Sequence, residues 1–176
     1  MRRRSRPDVE AAEALTLLRA AGATLATAES LTGGRLAAAV TSVPGASMSY
    51  LGGFVTYATE LKESLLGIPP ELVEQYGVVS GECASAMAAG CRAATGATYG
   101  VATTGVAGPD QQEGKPVGTV FVGLSGPEGE TVLTMELLGD RAAIQDRACR
   151  EALSALCGIL RALPGEPASR AAPQGE

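Results

Sequence analysis

Short β-type apolar runs alternate with helical patterns along this chain, and this alternation constrains the fold more than any other feature. Three of the runs, residues 24–28, 51–58 and 99–103, are separated by helical patterns. Two further β-rich segments, residues 117–124 and 131–138, are joined by a turn containing glycine and proline and predict a hairpin. We therefore expect an α/β fold, a three-layer α/β/α sandwich with a mixed sheet of about five strands, antiparallel near its end.

Six helices are predicted between and after these runs. Most begin at a capping residue or a proline, and several end at a glycine. The predicted helices span residues 8–21, 32–40, 59–67, 70–76, 81–94 and 140–163. Residues 8–163 are interpreted as one domain, and residues 1–7 and 164–176 as a disordered start and a disordered tail.

Composition and charge restrict the classes of function. Aromatic residues make up 3% of the chain and the formal net charge is −5. Few rings disfavour base stacking and an acidic surface disfavours phosphate backbones, so nucleic acid is not an expected partner. No signal peptide and no membrane-spanning apolar run is recognised, which predicts a cytoplasmic protein. The four cysteines form no C-x-x-C pair and are interpreted as reduced core residues.

The chain contains no histidine, which limits the chemistry of a candidate serine nucleophile. Ser30 ends an apolar run, and Gly33 and Gly34 precede a helical pattern. Such a strand–turn–helix corner is expected to expose a hydroxyl beside N–H groups at a helix N-terminus, where anions bind. A Ser-His-Asp triad is excluded. A nucleophilic Ser30 therefore needs a lysine, a tyrosine, a carboxylate or the α-amino group as its base.

Lys62 is the lysine placed to act as that base. It lies one turn into the helix that follows the second predicted strand, so its side chain can swing back over the strand end. Burial there would lower its pKa and let it take the proton of Ser30, with Tyr57 near enough to orient or relay a proton. The alternative is a surface lysine paired with Glu60 or Glu63.

Four further positions are candidate substrate-binding residues because of their backbone. The N–H groups around Thr32, Gly33, Gly34 and Gly105 are expected to hold a substrate phosphate or an oxyanion. Simple tight turns explain the same glycines. For Ser30, as for Thr104, the alternative is a cap or turn residue that satisfies its own backbone.

Six motifs follow one another in a fixed order along most of the chain. They are Thr27-Ala28-Glu29-Ser30 with Thr32-Gly33-Gly34, Gly53-Phe54-Val55-Thr56-Tyr57 with Lys62, Gly77-Val78-Val79-Ser80, Thr104-Gly105-Val106-Ala107-Gly108-Pro109, Lys115-Pro116-Val117-Gly118-Thr119-Val120, and Gly139-Asp140-Arg141. Taken together, these motifs resemble the CinA C-terminal domain family, over roughly residues 9–163.

Standalone members of that family are nicotinamide-nucleotide amidases. The resemblance implies hydrolysis of the carboxamide of nicotinamide mononucleotide to nicotinate mononucleotide and ammonia, without a metal or cofactor. It also implies a small-molecule nucleotide as the substrate, no nucleic-acid or membrane partner, and a homo-oligomer. The resemblance implies that Ser30 is the nucleophile, Lys62 its base and Tyr57 the nearby tyrosine. The implied substrate-pocket residues are Thr104, Gly105 and Arg141.

Two places depart from the family pattern. Gln111-Gln112-Glu113-Gly114 stands where the family usually has further glycines, and Gln145 stands where a basic residue is common. Both bear on how a phosphate or ribose is held. The sequence therefore keeps a second hypothesis, a non-catalytic module that binds a pyridine nucleotide within a competence- or damage-inducible protein.

Overall fold

The computed structural model describes residues 7–163. The predicted disordered start and tail therefore lie outside the described residues, except for residue 7, which is helical. Within this range the helices are α1 Pro7–Ala20, α2 Arg35–Thr41, α3 Thr59–Leu66, α4 Pro70–Tyr76, α5 Gly81–Thr95 and α6 Arg141–Ala162, with a 3-10 turn at Ala46–Met48. The strands are β1 Leu25–Glu29, β2 Tyr50–Val55, β3 Tyr99–Gly105, β4 Thr119–Gly126 and β5 Gly129–Glu136.

The five strands form one mixed sheet in the order β2-β1-β3-β4-β5. Strand β1 pairs in parallel with both β2 and β3, whereas β3, β4 and β5 pair antiparallel. The predicted α/β sandwich with a mixed sheet is thereby confirmed. Because β1, β2 and β3 run the same way, their C-terminal ends meet at one edge of the sheet, where ligand sites of open α/β sheets lie.

An apolar core lies on each face of the sheet. One core packs β1, β3 and β4 against α1, α2 and α6, and the other packs the opposite face against α5 and the end of α3. The cysteines divide evenly between the cores: Cys149 and Cys157 lie in the first, and Cys83 and Cys91 in the second. All four are buried and free, which confirms their prediction as small core residues.

The backbone of helix α5 lies in close contact with the backbone of the sheet because two of the strand residues beneath it are glycines. A Cβ at Gly100 of β3 would lie 2.1 Å from the carbonyl oxygen of Ala88, and one at Gly123 of β4 would lie 2.1 Å from that of Ala84. These contacts leave no room for even a methyl group. They explain why a chain poor in aromatic residues still packs closely, and they fix the N-terminal end of α5 near the edge where β1 ends.

Strand β2 ends at Val55, three residues earlier than its predicted end. The N–H of Thr56 still pairs with the carbonyl of Glu29, but β1 ends there and its chain turns away. The next carbonyls, of Thr56 and Tyr57, accept hydrogen bonds from Lys62 instead of from a strand. None of the helices within residues 7–163 is both long and apolar enough to cross a membrane.

Candidate active site

Ser30 lies at the point where β1 stops and the chain turns into α2. Its N–H donates to the carbonyl of Thr103 in β3 at 2.9 Å, and its own carbonyl accepts from the N–H of Gly33 at 3.1 Å. Gly33 and Gly34 have φ angles of 58° and 97°, in the left-handed region that favours glycine. The two glycines therefore allow the sharp turn that leaves Ser30 at the C-terminal edge of the sheet.

The helix N-terminus behind Ser30 is not open to an external anion. The buried carboxylate of Glu29 accepts from the N–H groups of Gly34, Leu36 and Ala37 at 2.9, 3.0 and 2.8 Å. Glu29 is 1% exposed. The expectation that the N-terminus of this helix holds a substrate anion is therefore wrong, because the chain supplies the anion itself.

Two N–H groups of the turn have no acceptor within residues 7–163, those of Leu31 and Thr32. The carbonyl of Leu31 accepts from Nε2 of Gln145 in α6 at 2.7 Å. Gln145 is only 8% exposed. Gln145 is a departure from the family pattern that was expected to bear on a phosphate or ribose, whereas its side chain here holds the turn after Ser30. Its place on the apolar stripe of α6, between Ile144 and Ala148, is the signal that could have assigned it a buried partner.

Lys62 reaches the serine from the first turns of α3. Its Nζ lies 3.2 Å from Oγ of Ser30, 2.7 Å from the carbonyl oxygen of Thr56 and 3.5 Å from that of Tyr57. The side chain is 1% exposed and makes no ion pair within residues 7–163. Burial lowers the pKa of Lys62 from its ordinary value of 10.5, against a smaller opposing effect of nearby acidic groups. The alternative of a surface lysine paired with an acidic neighbour is wrong.

Tyr57 takes a different place from the one expected of a proton relay. Its hydroxyl accepts from Nη2 of Arg141 at 2.8 Å, and Nη1 of Arg141 donates to the carbonyl of Gly108 at 2.5 Å. The hydrogen bond between Tyr57 and Lys62 is made by the backbone carbonyl of Tyr57 and not by its hydroxyl. Arg141 is the first residue of α6, behind its N-cap Asp140. Arg141 thus joins the end of β2 to the loop after β3 across the mouth of the site.

A crevice of about 160 Å³ opens above Ser30 and Lys62. Five of the predicted site residues line it together: Ser30, Tyr57, Lys62, Gly105 and Arg141. The loop after β3 contributes most of the opposite wall, including two polar residues to which the sequence gave no individual role, Asp110 and Gln112.

Four predicted residues do not line this crevice: Thr32, Gly33, Gly34 and Thr104. The hydroxyl of Thr32 hydrogen-bonds to that of Thr103 at 2.7 Å, and both are buried. The hydroxyl of Thr104 donates to the carbonyl of Val78 at 2.6 Å. These side chains fix the walls of the site. Thr104 is therefore not the cap or turn residue of the alternative, because its hydroxyl bonds a carbonyl 26 positions away and not its own backbone.

Comparison with known proteins agrees with this architecture. The family model described as the CinA C-terminal domain matches residues 8–160. A CinA-like protein of Frankia casuarinae is 53% identical over 150 residues, which cover 85% of this chain and 35% of that protein. A putative competence-damage inducible protein of Halalkalibacterium halodurans is 46% identical over 73% of this chain and 31% of its own length. The chain thus spans about a third of these curated relatives.

A solved structure shares this fold. The competence damage-inducible protein A of Klebsiella pneumoniae superposes with a TM-score of 0.87 at 34% identity, over 90% of this chain and 99% of that one. The family match, the sequence identity and the shared fold lead to one statement of identity: this chain belongs to the CinA C-terminal domain family.

Proposed function

We propose that this chain is a metal-independent amidohydrolase that hydrolyses the carboxamide of nicotinamide mononucleotide, with Ser30 as nucleophile and Lys62 as base. One observation carries the proposal: a buried lysine amine 3.2 Å from a serine hydroxyl. A buried ammonium with no carboxylate partner is disfavoured, so the neutral, basic form of Lys62 is reached at lower pH than for a surface lysine.

The partners of Lys62 also set the direction in which the proton moves. The carbonyls of Thr56 and Tyr57 can only accept hydrogen bonds, and both face Nζ. A neutral amine has two N–H groups and one lone pair. When both N–H groups donate to the carbonyls, the lone pair faces Oγ of Ser30, which then donates its proton to Lys62.

The proposed reaction has two halves. Oγ of Ser30 forms a bond to the carboxamide carbon while its proton passes to Lys62, giving a tetrahedral oxyanion. The C–N bond then breaks and the Lys62 ammonium returns that proton to the leaving nitrogen, which departs as ammonia. Water, deprotonated by Lys62, attacks the Ser30 ester, and the nicotinic acid group leaves as Lys62 returns the proton to Ser30; the acid then gives its own proton to the released ammonia, leaving nicotinate and ammonium.

The oxyanion needs hydrogen-bond donors close to Ser30. The structure reduces the number of backbone N–H groups that remain as candidates. The N–H of Gly33 is bonded to the Ser30 carbonyl and that of Gly34 to Glu29, so neither remains for substrate. The N–H of Leu31, the residue after the nucleophile, has no acceptor in the described chain and Leu31 lines the crevice. We propose Leu31 as the first donor. The second proposed donor is Gly105. Residues two apart in a strand direct their N–H groups to the same side, so the N–H of Gly105 points toward β1, as that of Thr103 does.

The crevice is smaller than the roughly 300–1,000 Å³ of typical ligand pockets. We therefore propose that it takes the nicotinamide ring and its carboxamide, and that the ribose phosphate lies at the mouth. Arg141 is placed there, and within residues 7–163 only two of its N–H groups are bonded, to Tyr57 and Gly108. Its planar guanidinium suits a phosphate group, and α6 adds the positive end of a helix dipole.

The test is ammonia release from nicotinamide mononucleotide, measured with a chelator present. The wild-type protein is expected to turn over, and Ser30→Ala to lose a factor of about 10³–10⁶ in rate. Lys62→Arg is expected to be nearly inactive, because a guanidinium does not give up its proton. Ser64→Ala is the matched control, since Ser64 is exposed on α3 and bonds only the Glu60 carbonyl. Full activity of Ser30→Ala would refute the assignment.

The second candidate function, a non-catalytic pyridine-nucleotide-binding module, is separated by the same assay. Gln112 belongs to the segment that departs from the family pattern, and it lines the crevice; this observation favours the binding module. Nicotinamide mononucleotide that raises the melting temperature of the wild type without releasing ammonia would support the module. The predicted homo-oligomer remains a proposal, tested by light scattering of the purified chain.

A further inference from the structure

Glu113 holds the wall of the crevice to the rest of the site. It lies in the loop between β3 and β4, in the segment that departs from the family pattern. Its Oε1 accepts from the N–H of Val78 at 3.0 Å and its Oε2 from the N–H of Val79 at 2.9 Å. One carboxylate thus clamps two consecutive backbone donors of the segment that leads into α5, in the pairwise geometry of a strong charge-assisted contact.

The backbone on both sides is adapted to this contact. Glu113 has a positive φ of 52°, which non-glycine residues rarely adopt. Gly77 has a φ of 77°, and a Cβ there would lie 2.4 Å from Oε2 of Glu113. Gln112 and Lys115 exchange two backbone hydrogen bonds, at 3.2 and 2.9 Å, which close the loop tip around Glu113. The conformation of the loop tip therefore depends on where this carboxylate lies.

The two segments that Glu113 joins both line the crevice. Val78 does so from one side, and Gln112, the neighbour of Glu113, does so from the other. Val78 is held a second time, through its carbonyl, by the hydroxyl of Thr104. Releasing Glu113 would remove the anchor next to Gln112, while Arg141 still held the loop at Gly108 and the contact between Ser30 and Lys62 stayed in place.

We propose that Glu113 is a positioning residue for the reaction proposed above, one that anchors the crevice loop to Val78 and Val79 so that its polar side chains meet the substrate in one geometry. The inference rests on the proposed function for its kinetic consequence. The anchoring itself is a property of the unliganded chain, so it can be measured separately.

The charge of Glu113 adds a second consequence. The groups that act on Lys62 are Glu60 on its own helix, the Cys83 thiol on α5 and Glu113 on the loop, and the two carboxylates partly oppose the effect of burial on its pKa. Burial raises the pKa of Cys83 to about 11, so this thiol is neutral near pH 7. The other charged groups of the crevice are Asp110 and Arg141. Removing the charge of Glu113 should therefore lower the pKa of Lys62 further.

Two substitutions separate position from charge. Glu113→Gln keeps the length, removes the charge and sets an NH₂ group against a backbone N–H. Glu113→Asp keeps the charge but is one carbon too short to reach both donors. Both substitutions are expected to raise KM for nicotinamide mononucleotide about tenfold, because each loses about one hydrogen bond between residue 113 and the backbone of Val78 and Val79. The value of kcat should change less. Only Glu113→Gln should move the rise of kcat/KM to lower pH. Glu74→Gln, on the exposed face of α4, is the control for lost charge.

Two measurements need no turnover and stand if the amidase proposal fails. Hydrogen exchange at the Val78 and Val79 amides should be faster in both Glu113 variants than in the wild type. The chain has only two lysines, Lys62 and Lys115, so NMR titration of labelled lysine gives the pKa of Lys62 directly. It should fall in Glu113→Gln and not in Glu113→Asp. Unchanged amide exchange with unchanged KM, or a lower melting temperature as the only effect, would overturn the proposal.

Discussion

Replacing Glu29 by glutamine tests the carboxylate that caps α2 behind the serine. In the wild type one carboxylate accepts three N–H groups at 2.8–3.0 Å while 1% exposed. Hydrogen bonds to a charged acceptor contribute about 1.5–3 kcal/mol each, roughly twice as much as bonds between neutral groups. Glutamine keeps one oxygen, so two bonds are weakened by about 1 kcal/mol each. The third is lost, because the new NH₂ group faces the N–H of Ala37.

The expected loss is about 3.5–5 kcal/mol of the free energy of unfolding, a large part of the about 5–15 kcal/mol typical of folded domains. For a chain of 176 residues this corresponds to a fall of about 10 °C in melting temperature. The assay is urea unfolding followed by circular dichroism. Glu10→Gln is the matched control, because Oε2 of Glu10 is buried without a partner in the described chain. A loss below about 1 kcal/mol for Glu29→Gln would refute the reasoning.

Two further predictions follow from the buried polar groups of the site. Lys62→Met removes a titrating group. Between the lowered pKa of Lys62 in the folded wild type and its ordinary value of 10.5, the unfolded wild-type chain binds more protons than the folded one. The stability of the wild type relative to Lys62→Met should therefore rise as the pH increases toward 10.5 in urea unfolding, and a flat difference would contradict the burial effect. Gln145→Leu leaves the buried Leu31 carbonyl without its donor and should cost about 1–3 kcal/mol, with a fall in kcat larger than any rise in KM; a wild-type kcat would show that Gln145 does not hold the turn.

The sequence predicts the frame of the fold because its signals are local. The period of the apolar residues gives each strand and helix. Asp140 and Ser80, of residue types common at N-caps, cap α6 and α5 by accepting from the N–H groups of Ala143 and Cys83. The order of the strands in the sheet is not a local property, since β1 joins β2 to β3 across residues distant in the chain.

At the site, the sequence predicts which residues take part more accurately than it predicts the groups to which they hydrogen-bond. Lys62 is predicted to swing back over the strand end, and the structure places it there because two carbonyls at the end of β2 accept its amine. The corner at Ser30 is predicted as open to an anion because nothing local shows that Glu29 folds back onto it. The contacts of Gln145 and Glu113 link residues 114 and at least 34 positions apart, which no short pattern encodes.

The most direct test of the central claim is the mass of the peptide that contains Ser30, after protein mixed with excess nicotinamide mononucleotide is quenched in acid at times from milliseconds through complete turnover. The covalent mechanism predicts a transient gain equal to the substrate less ammonia on Ser30, absent from Ser30→Ala. Ammonia release with an unmodified Ser30 peptide at every time, or with the adduct on another residue, would contradict it.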